Sequence, residues 1–183
     1  MRLFIALPLP LSIKEELSRA QDRFKQFAPA AGWVRPDNLH ITLKFLGDTD
    51  NEQAEKIKLA MTKTADEFDQ ITAVLSEFGF FPSQHRPKVF FAATDQQTQL
   101  QKIAFALEKN LAGLGFTEEQ RFVSHITLCR IKNAVDVEAL AAEIKKVKLT
   151  GSFSVKEIAL VKSTLKSRGP EYQTVFSVQL KTA

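Results

Sequence analysis

The chain holds one cysteine and three histidines in 183 residues, and the scarcity of each narrows what it can be. A single cysteine, Cys129, excludes an intramolecular disulfide and leaves no CxxC pair to grip a metal, which fits a reducing compartment. No apolar run approaches the roughly 20 residues that cross a bilayer. The opening MRLFIALPLPLS is broken by Pro8 and Pro10 and is followed by no small-residue cleavage site, so it is expected to be a strand of the fold. There is no low-complexity segment and no obvious linker. A soluble, cytoplasmic protein that needs no membrane is expected.

What is present is a globular composition. A hydrophobic content of 44% over this length suffices for a substantial core, and a formal charge of +4 favours anionic partners without naming one. Strands are expected at Arg2 to Leu7, Leu39 to Leu46, Ile71 to Phe80, Lys88 to Ala93, around the second histidine motif, at Phe153 to Lys162 and at Tyr172 to Leu180. Between them, apolar residues at three- and four-residue steps predict helices through Ile13–Phe27, Ala54–Phe68, Leu100–Leu111 and Val137–Val147. The order is mixed α+β.

Two of the three histidines open the same word, HITL, at His40 and again at His125. Each copy has a helix before it and another after it, which suggests a duplicated unit and two lobes related by an approximate two-fold axis. Strand alternation puts His40 and Thr42 on one face, with Leu39, Ile41, Leu43 and Phe45 on the core face. The same parity puts His125, Thr127 and Cys129 together, and gives Lys44 the groove side. If the two strands are neighbours, two imidazoles and two hydroxyls face one cleft. Histidines placed across a substrate can act as an acid and base pair, and threonine hydroxyls can bond the non-bridging oxygens of a phosphoryl group. That is a phosphodiester-cleaving site that needs no metal. His85, in the Pro-flanked turn FPSQHRP, could join the other two as a zinc ligand, but neither HITL supplies a second ligand at suitable spacing. A lone H-x-T is more often a half-buried polar pair, and its repetition favours chemistry. Cys129 is expected to be a packing residue rather than a nucleophile.

These words resemble the two H-x-T-x signatures of the 2H phosphoesterase superfamily. WVRPDNLHITLKFLG and RFVSHITLCR are similar to its bacterial and archaeal branch, the RNA 2′,3′-cyclic phosphodiesterases, also called 2′-5′ RNA ligases. FIALPLP resembles that family's first strand, and STLKSRGPEY its closing hairpin. The resemblance implies one two-lobed α+β domain over residues 1–183, with a central cleft between antiparallel sheets. It also implies hydrolysis of RNA 2′,3′-cyclic phosphate ends to 2′-phosphates without metal, ATP or other cofactor. His40 would be the proton donor and His125 the acceptor, a choice that the symmetry of the motifs leaves open. Thr42, Thr127 and Arg130 would bind phosphate.

Strict alternation points Arg130 away from His125, so a bulge or a bent side chain is required. Lys44 is a candidate RNA contact, and Arg35, Lys88, Arg121, Lys166 and Arg168 could form an approach ramp. Trp33, Phe81 and Tyr172 are candidate stacking platforms for bases, whereas Phe45 is disfavoured by parity. The expected partner is RNA with a cyclic phosphate end, such as a tRNA fragment, or a small cyclic nucleotide, bound by a monomer. The rival functions are 2′-5′ joining of tRNA halves and RNA binding without turnover.

Overall fold

The computed structural model describes residues 1–132, 135–167 and 169–182. Among these the order is β1 (Arg2–Pro8), α1 (Leu11–Phe24), β2 (Gly32–Trp33), β3 (His40–Asp48), α2 (Asn51–Ala65), β4 (Ile71–Phe81), β5 (Val89–Thr94), α3 (Gln97–Asn110), β6 (Ile126–Arg130), α4 (Val137–Ile144), β7 (Ser152–Val155), β8 (Glu157–Lys166) and β9 (Gly169–Gln179). Short 3-10 turns lie at Lys25–Phe27 and Pro36–Asn38.

Local chemistry accounts for most of these limits. In α1, Ile13, Leu17, Ala20 and Phe24 form one buried stripe, and the last expected turn, to Phe27, tightens into the 3-10 form. Helix α2 starts at a capping box, in which the Asp50 carboxylate accepts the Gln53 amide at 2.7 Å. Beyond α3, Gly113 and Gly115 take positive φ, which ends that helix.

The strands form one antiparallel sheet in the order β7-β4-β5-β6-β3-β1-β8-β9, with β2 paired to β6. Its midline is the contact of β3 with β6, made through the single pairing Ile41↔Ile126. Outward from it, β3, β1, β8 and β9 mirror β6, β5, β4 and β7. The two-fold relation foreseen from the repeated word therefore passes between the central isoleucines. Continuing that register by one residue sets His40 opposite Thr127 and Thr42 opposite His125.

The main core lies between one face of the sheet and the helices. It includes Leu3, Ile5 and Leu7 of β1, Ile41 and Ile126 of the motif strands, Ile57 and Met61 of α2, and Leu100, Ile103 and Leu107 of α3. Each such side chain contributes about 1.5–3 kcal/mol by leaving water. The other face of β1 and β8 carries a smaller buried patch of Phe4, Ala6, Ala159 and Val161.

The sequence expectation of one strand from Phe153 to Lys162 is corrected. The chain breaks at Lys156, whose carbonyl takes the Leu180 amide at 2.7 Å. The segment before the break joins β4 and the segment after it joins β1, on opposite sides of the midline. Among the described residues no helix is long and apolar enough to cross a membrane.

Candidate active site

The site is shaped by an irregularity that occurs twice. On β1, the neighbours Ile5 and Ala6 pair with Lys44 and Thr42, so Leu43 is an extra residue on β3. On β5, the neighbours Phe90 and Phe91 pair with Cys129 and Thr127, so Leu128 is extra on β6. Both are bulges at the last letter of HITL, and each reverses the facing of the residues that follow. Lys44 and Cys129 consequently turn inward, at 2% and 0% exposure, while Phe45 turns outward at 61%. Arg130 is likewise exposed.

This corrects three expectations. The ammonium of Lys44 does not face the groove for RNA: it pairs with Glu108 Oε1 at 2.7 Å and also donates to the Thr117 carbonyl, inside the protein. Cys129 does not share the His125 face, and burial pushes its thiol up to about 12. Phe45 is not a core residue. The bulge that brings Arg130 back to the histidine side was the condition its expected role required.

Each imidazole is fixed in the same way. Nδ1 of His40 bonds the Asn38 carbonyl at 2.6 Å, and Nδ1 of His125 bonds the Val123 carbonyl at 2.8 Å. A carbonyl can only accept, so Nδ1 carries the hydrogen and Nε2 is the free basic nitrogen of the neutral ring. For His40 that nitrogen lies 2.9 Å from Thr42 Oγ1, which donates to it. Each ring also rests against a pair of aromatic residues that touch one another. Phe4 and Tyr172 lie 5.0 and 5.5 Å from His40 between ring centroids, and Phe81 and Phe91 lie 5.0 and 5.7 Å from His125. Phe81 in turn stacks on Phe91 at 4.2 Å.

Burial in these cages disfavours the charged imidazolium. It lowers His40 from the ordinary 6.5 to about 4, opposed by the Asn38 carbonyl and reinforced by Lys14, His125 and Arg130. His125 is lowered in the same sense, first by burial and then by Arg130, against the Val123 carbonyl. Arg130 also acts on Tyr172, whose hydroxyl burial raises, so one guanidinium is sensed on both sides of the midline. An anionic phosphate entering here meets that cation, and its own charge favours protonation of the histidines.

The remaining expected residues divide. Tyr172 and Phe81 lie beside the histidines. Trp33 does not: its ring packs toward Phe90 of the core and its Nε1 donates to the Ala28 carbonyl at 3.0 Å, which corrects its expected role as a stacking platform. Arg35, Lys88, Arg121 and Lys166 are exposed, whereas Arg168 lies outside the described residues. His85 is exposed in the turn between β4 and β5.

Sequence reasoning missed the residues that hold the motifs in place. Buried Gln21 of α1 donates at 2.9 Å to the carbonyls of both Val34 and Leu128, fixing the second bulge. Gln97 grips Ser124 on both sides, donating to its carbonyl at 2.8 Å and accepting its amide at 2.9 Å. The segment just before His125 is outside any strand, and this amide stands in for ladder pairing there. Neither glutamine carries a local sequence signal, because each acts across the fold.

Bulged twin strands, paired imidazoles and a shared arginine define a two-histidine phosphoesterase site. Residues 7–91 and 92–172 each match the family described as LigT like Phosphoesterase, and the chain belongs to that family. It is 34% identical over 178 residues to an RNA 2′,3′-cyclic phosphodiesterase of Methanocaldococcus jannaschii, covering 96% of this chain and 98% of that one. It is 29% identical over 182 residues to the protein of the same name from Thermotoga maritima, covering 99% and 96%. Among solved structures, TT0787 of Thermus thermophilus matches with a TM-score of 0.83 at 27% identity, over 100% of this chain and 99% of that one. E. coli LigT complexed with 3′-AMP matches at 0.80 and 28% identity, over 99% and 98%.

Proposed function

We propose that this phosphoesterase opens the 2′,3′-cyclic phosphate at an RNA end to a 2′-monophosphate, with no metal, ATP or other cofactor. The observation that carries the reading is the pair of imidazoles on either side of the midline, each pinned through Nδ1 to a backbone carbonyl so that Nε2 is the basic nitrogen, with the Thr42 hydroxyl on that of His40. The relatives named RNA 2′,3′-cyclic phosphodiesterase support the substrate.

In this mechanism the bound phosphate draws a proton onto His40. Nε2 of His125 takes a proton from water as the water oxygen bonds to phosphorus. The bond from phosphorus to O3′ breaks, and His40 gives its proton to that oxygen. Thr42, Thr127 and Arg130 hold the non-bridging oxygens as charge builds on them. The assignment of donor and acceptor follows the family resemblance. Both histidines come from one chain, so a monomer is sufficient.

A second reading draws on one observation. A cavity of about 220 Å³ adjoins His125, lined by Thr42, Phe45, Phe81, Arg121 and Val123 among others. It could seat a nucleoside whose 5′-hydroxyl replaces water, with Phe45 and Phe81 as platforms for its base. The same chemistry would then make a 2′-5′ linkage.

The test is a short RNA ending in a 2′,3′-cyclic phosphate, incubated with protein in excess EDTA and followed by phosphorus NMR. A 2′-monophosphate formed by the intact protein and not by His125→Ala is expected. Binding of the RNA without turnover would replace hydrolysis by simple recognition, and a joined product with added 5′-hydroxyl RNA would establish the second reading.

A further inference from the structure

The two repeats hold their histidines by equivalent clasps. Lys14 follows buried Ile13 on α1, and Gln101 follows buried Leu100 on α3. Lys14 Nζ donates to the Asp37 carbonyl at 2.9 Å and Gln101 Nε2 to the Phe122 carbonyl at 3.4 Å, in each case three residues before the motif histidine. A neutral amide therefore suffices for the clasp. The charge in the first repeat is surplus to it, and it disfavours the imidazolium of His40, so it needs another reason.

Its surroundings supply one. Lys14 lines a cavity of about 120 Å³ together with Asp37, His40, Val161, Tyr172 and Thr174. Strands β1, β8 and β9 lie beyond β3 on the side away from β6, so this cavity opens past His40 and away from His125. It is the smaller of the two cavities beside the histidines, about 120 Å³ against about 220 Å³, and of a size for a phosphate group or part of a sugar. An ammonium has three donors, and the Asp37 carbonyl takes one.

In-line displacement puts the entering water and the leaving O3′ on opposite sides of phosphorus. With His125 beside the water, O3′ leaves on the His40 side, the side on which this cavity lies. We infer that Lys14 forms a second phosphate subsite, which binds the phosphate on the 5′ side of the terminal ribose and makes the enzyme prefer oligonucleotide ends to free nucleoside 2′,3′-cyclic phosphates. The inference rests on the hydrolysis proposed above, with His40 on the leaving-group side.

The test compares a nucleoside 2′,3′-cyclic phosphate with the same compound bearing a 5′-phosphate, for the native protein, Lys14→Gln and Lys14→Arg. Lys14→Gln reproduces the sibling clasp without the charge. The native protein and Lys14→Arg are expected to favour the 5′-phosphorylated substrate roughly tenfold in kcat/KM, through KM, as fits a charge-assisted contact. In Lys14→Gln that ratio is expected to fall to about one. No preference in the native protein, or the same preference in Lys14→Gln, overturns the subsite. Calorimetric binding of a nucleoside 2′,5′-bisphosphate against the 2′-monophosphate separates this from the hydrolysis itself. Tighter binding of the bisphosphate, lost in Lys14→Gln, would sustain the subsite even if no cyclic phosphate is turned over, and equal binding would overturn it.

Discussion

Replacing His40 by glutamine should flatten part of the acid instability of this protein. Folding moves the imidazole from the ordinary 6.5 to about 4, so between those values the unfolded chain binds a proton that the folded chain does not. The stability that His40 contributes by staying neutral is complete above 6.5 and is lost as pH falls toward 4. At roughly 1.4 kcal/mol per pH unit, the full loss is about 3 kcal/mol. Most of it, about 2.5 kcal/mol, is already gone at pH 4.5. Urea unfolding at pH 7.5 and pH 4.5 measures it, with the native protein losing that much more than His40→Gln over the same interval. His125 is lowered in the same direction but is present in both proteins, so their difference isolates His40. Equal acid sensitivity in the two proteins, or a His40 imidazole that titrates near 6.5 by NMR, would refute the buried, neutral ring on which the chemistry depends.

The buried pair of Lys44 and Glu108 should be costly to break from one side: Lys44→Met is expected to lose about 3–5 kcal/mol in denaturant melts, and adding Glu108→Leu should recover most of it. An equal loss in the double variant would show that packing, not the orphaned carboxylate, is responsible. Gly79 lies under the Phe91 ring, and a Cβ there would sit 2.4 Å from its Cζ. Gly79→Ala should therefore destabilise by about 1–3 kcal/mol and lower kcat, because the displaced ring is one wall of the His125 cage. Native stability and turnover together would disprove that link.

Much of the fold was legible because it follows local periodicity. The stripes of α1, α2 and α3 and the two-residue alternation within each HITL are written in neighbouring residues. The bulges are not, since an extra residue is defined only by the strand it is paired against. Parity counted correctly up to Leu43 and Leu128 and failed one residue later, which misplaced Lys44, Phe45 and Cys129. The break at Lys156 escaped notice for a similar reason: its carbonyl is claimed by Leu180, far along the chain. Trp33 sits in a two-residue strand whose partner, Cys129, is itself set by the second bulge. Gln21 and Gln97, whose hydrogen bonds reach across the fold, have no motif by which to be found.

The strands that complete each half come from the other. Strand β4, in the stretch of chain that contains the first histidine, finishes the ladder beside β5, and β8, in the stretch that contains the second, finishes the ladder beside β1. The two repeats are thus clasped like hands rather than threaded like beads. Severed near residue 91, neither fragment would own a finished lobe, and each would present a bare edge shaped for its sibling. Half of this molecule is therefore not half an enzyme, and any loosening of one lobe is felt by both histidines at once.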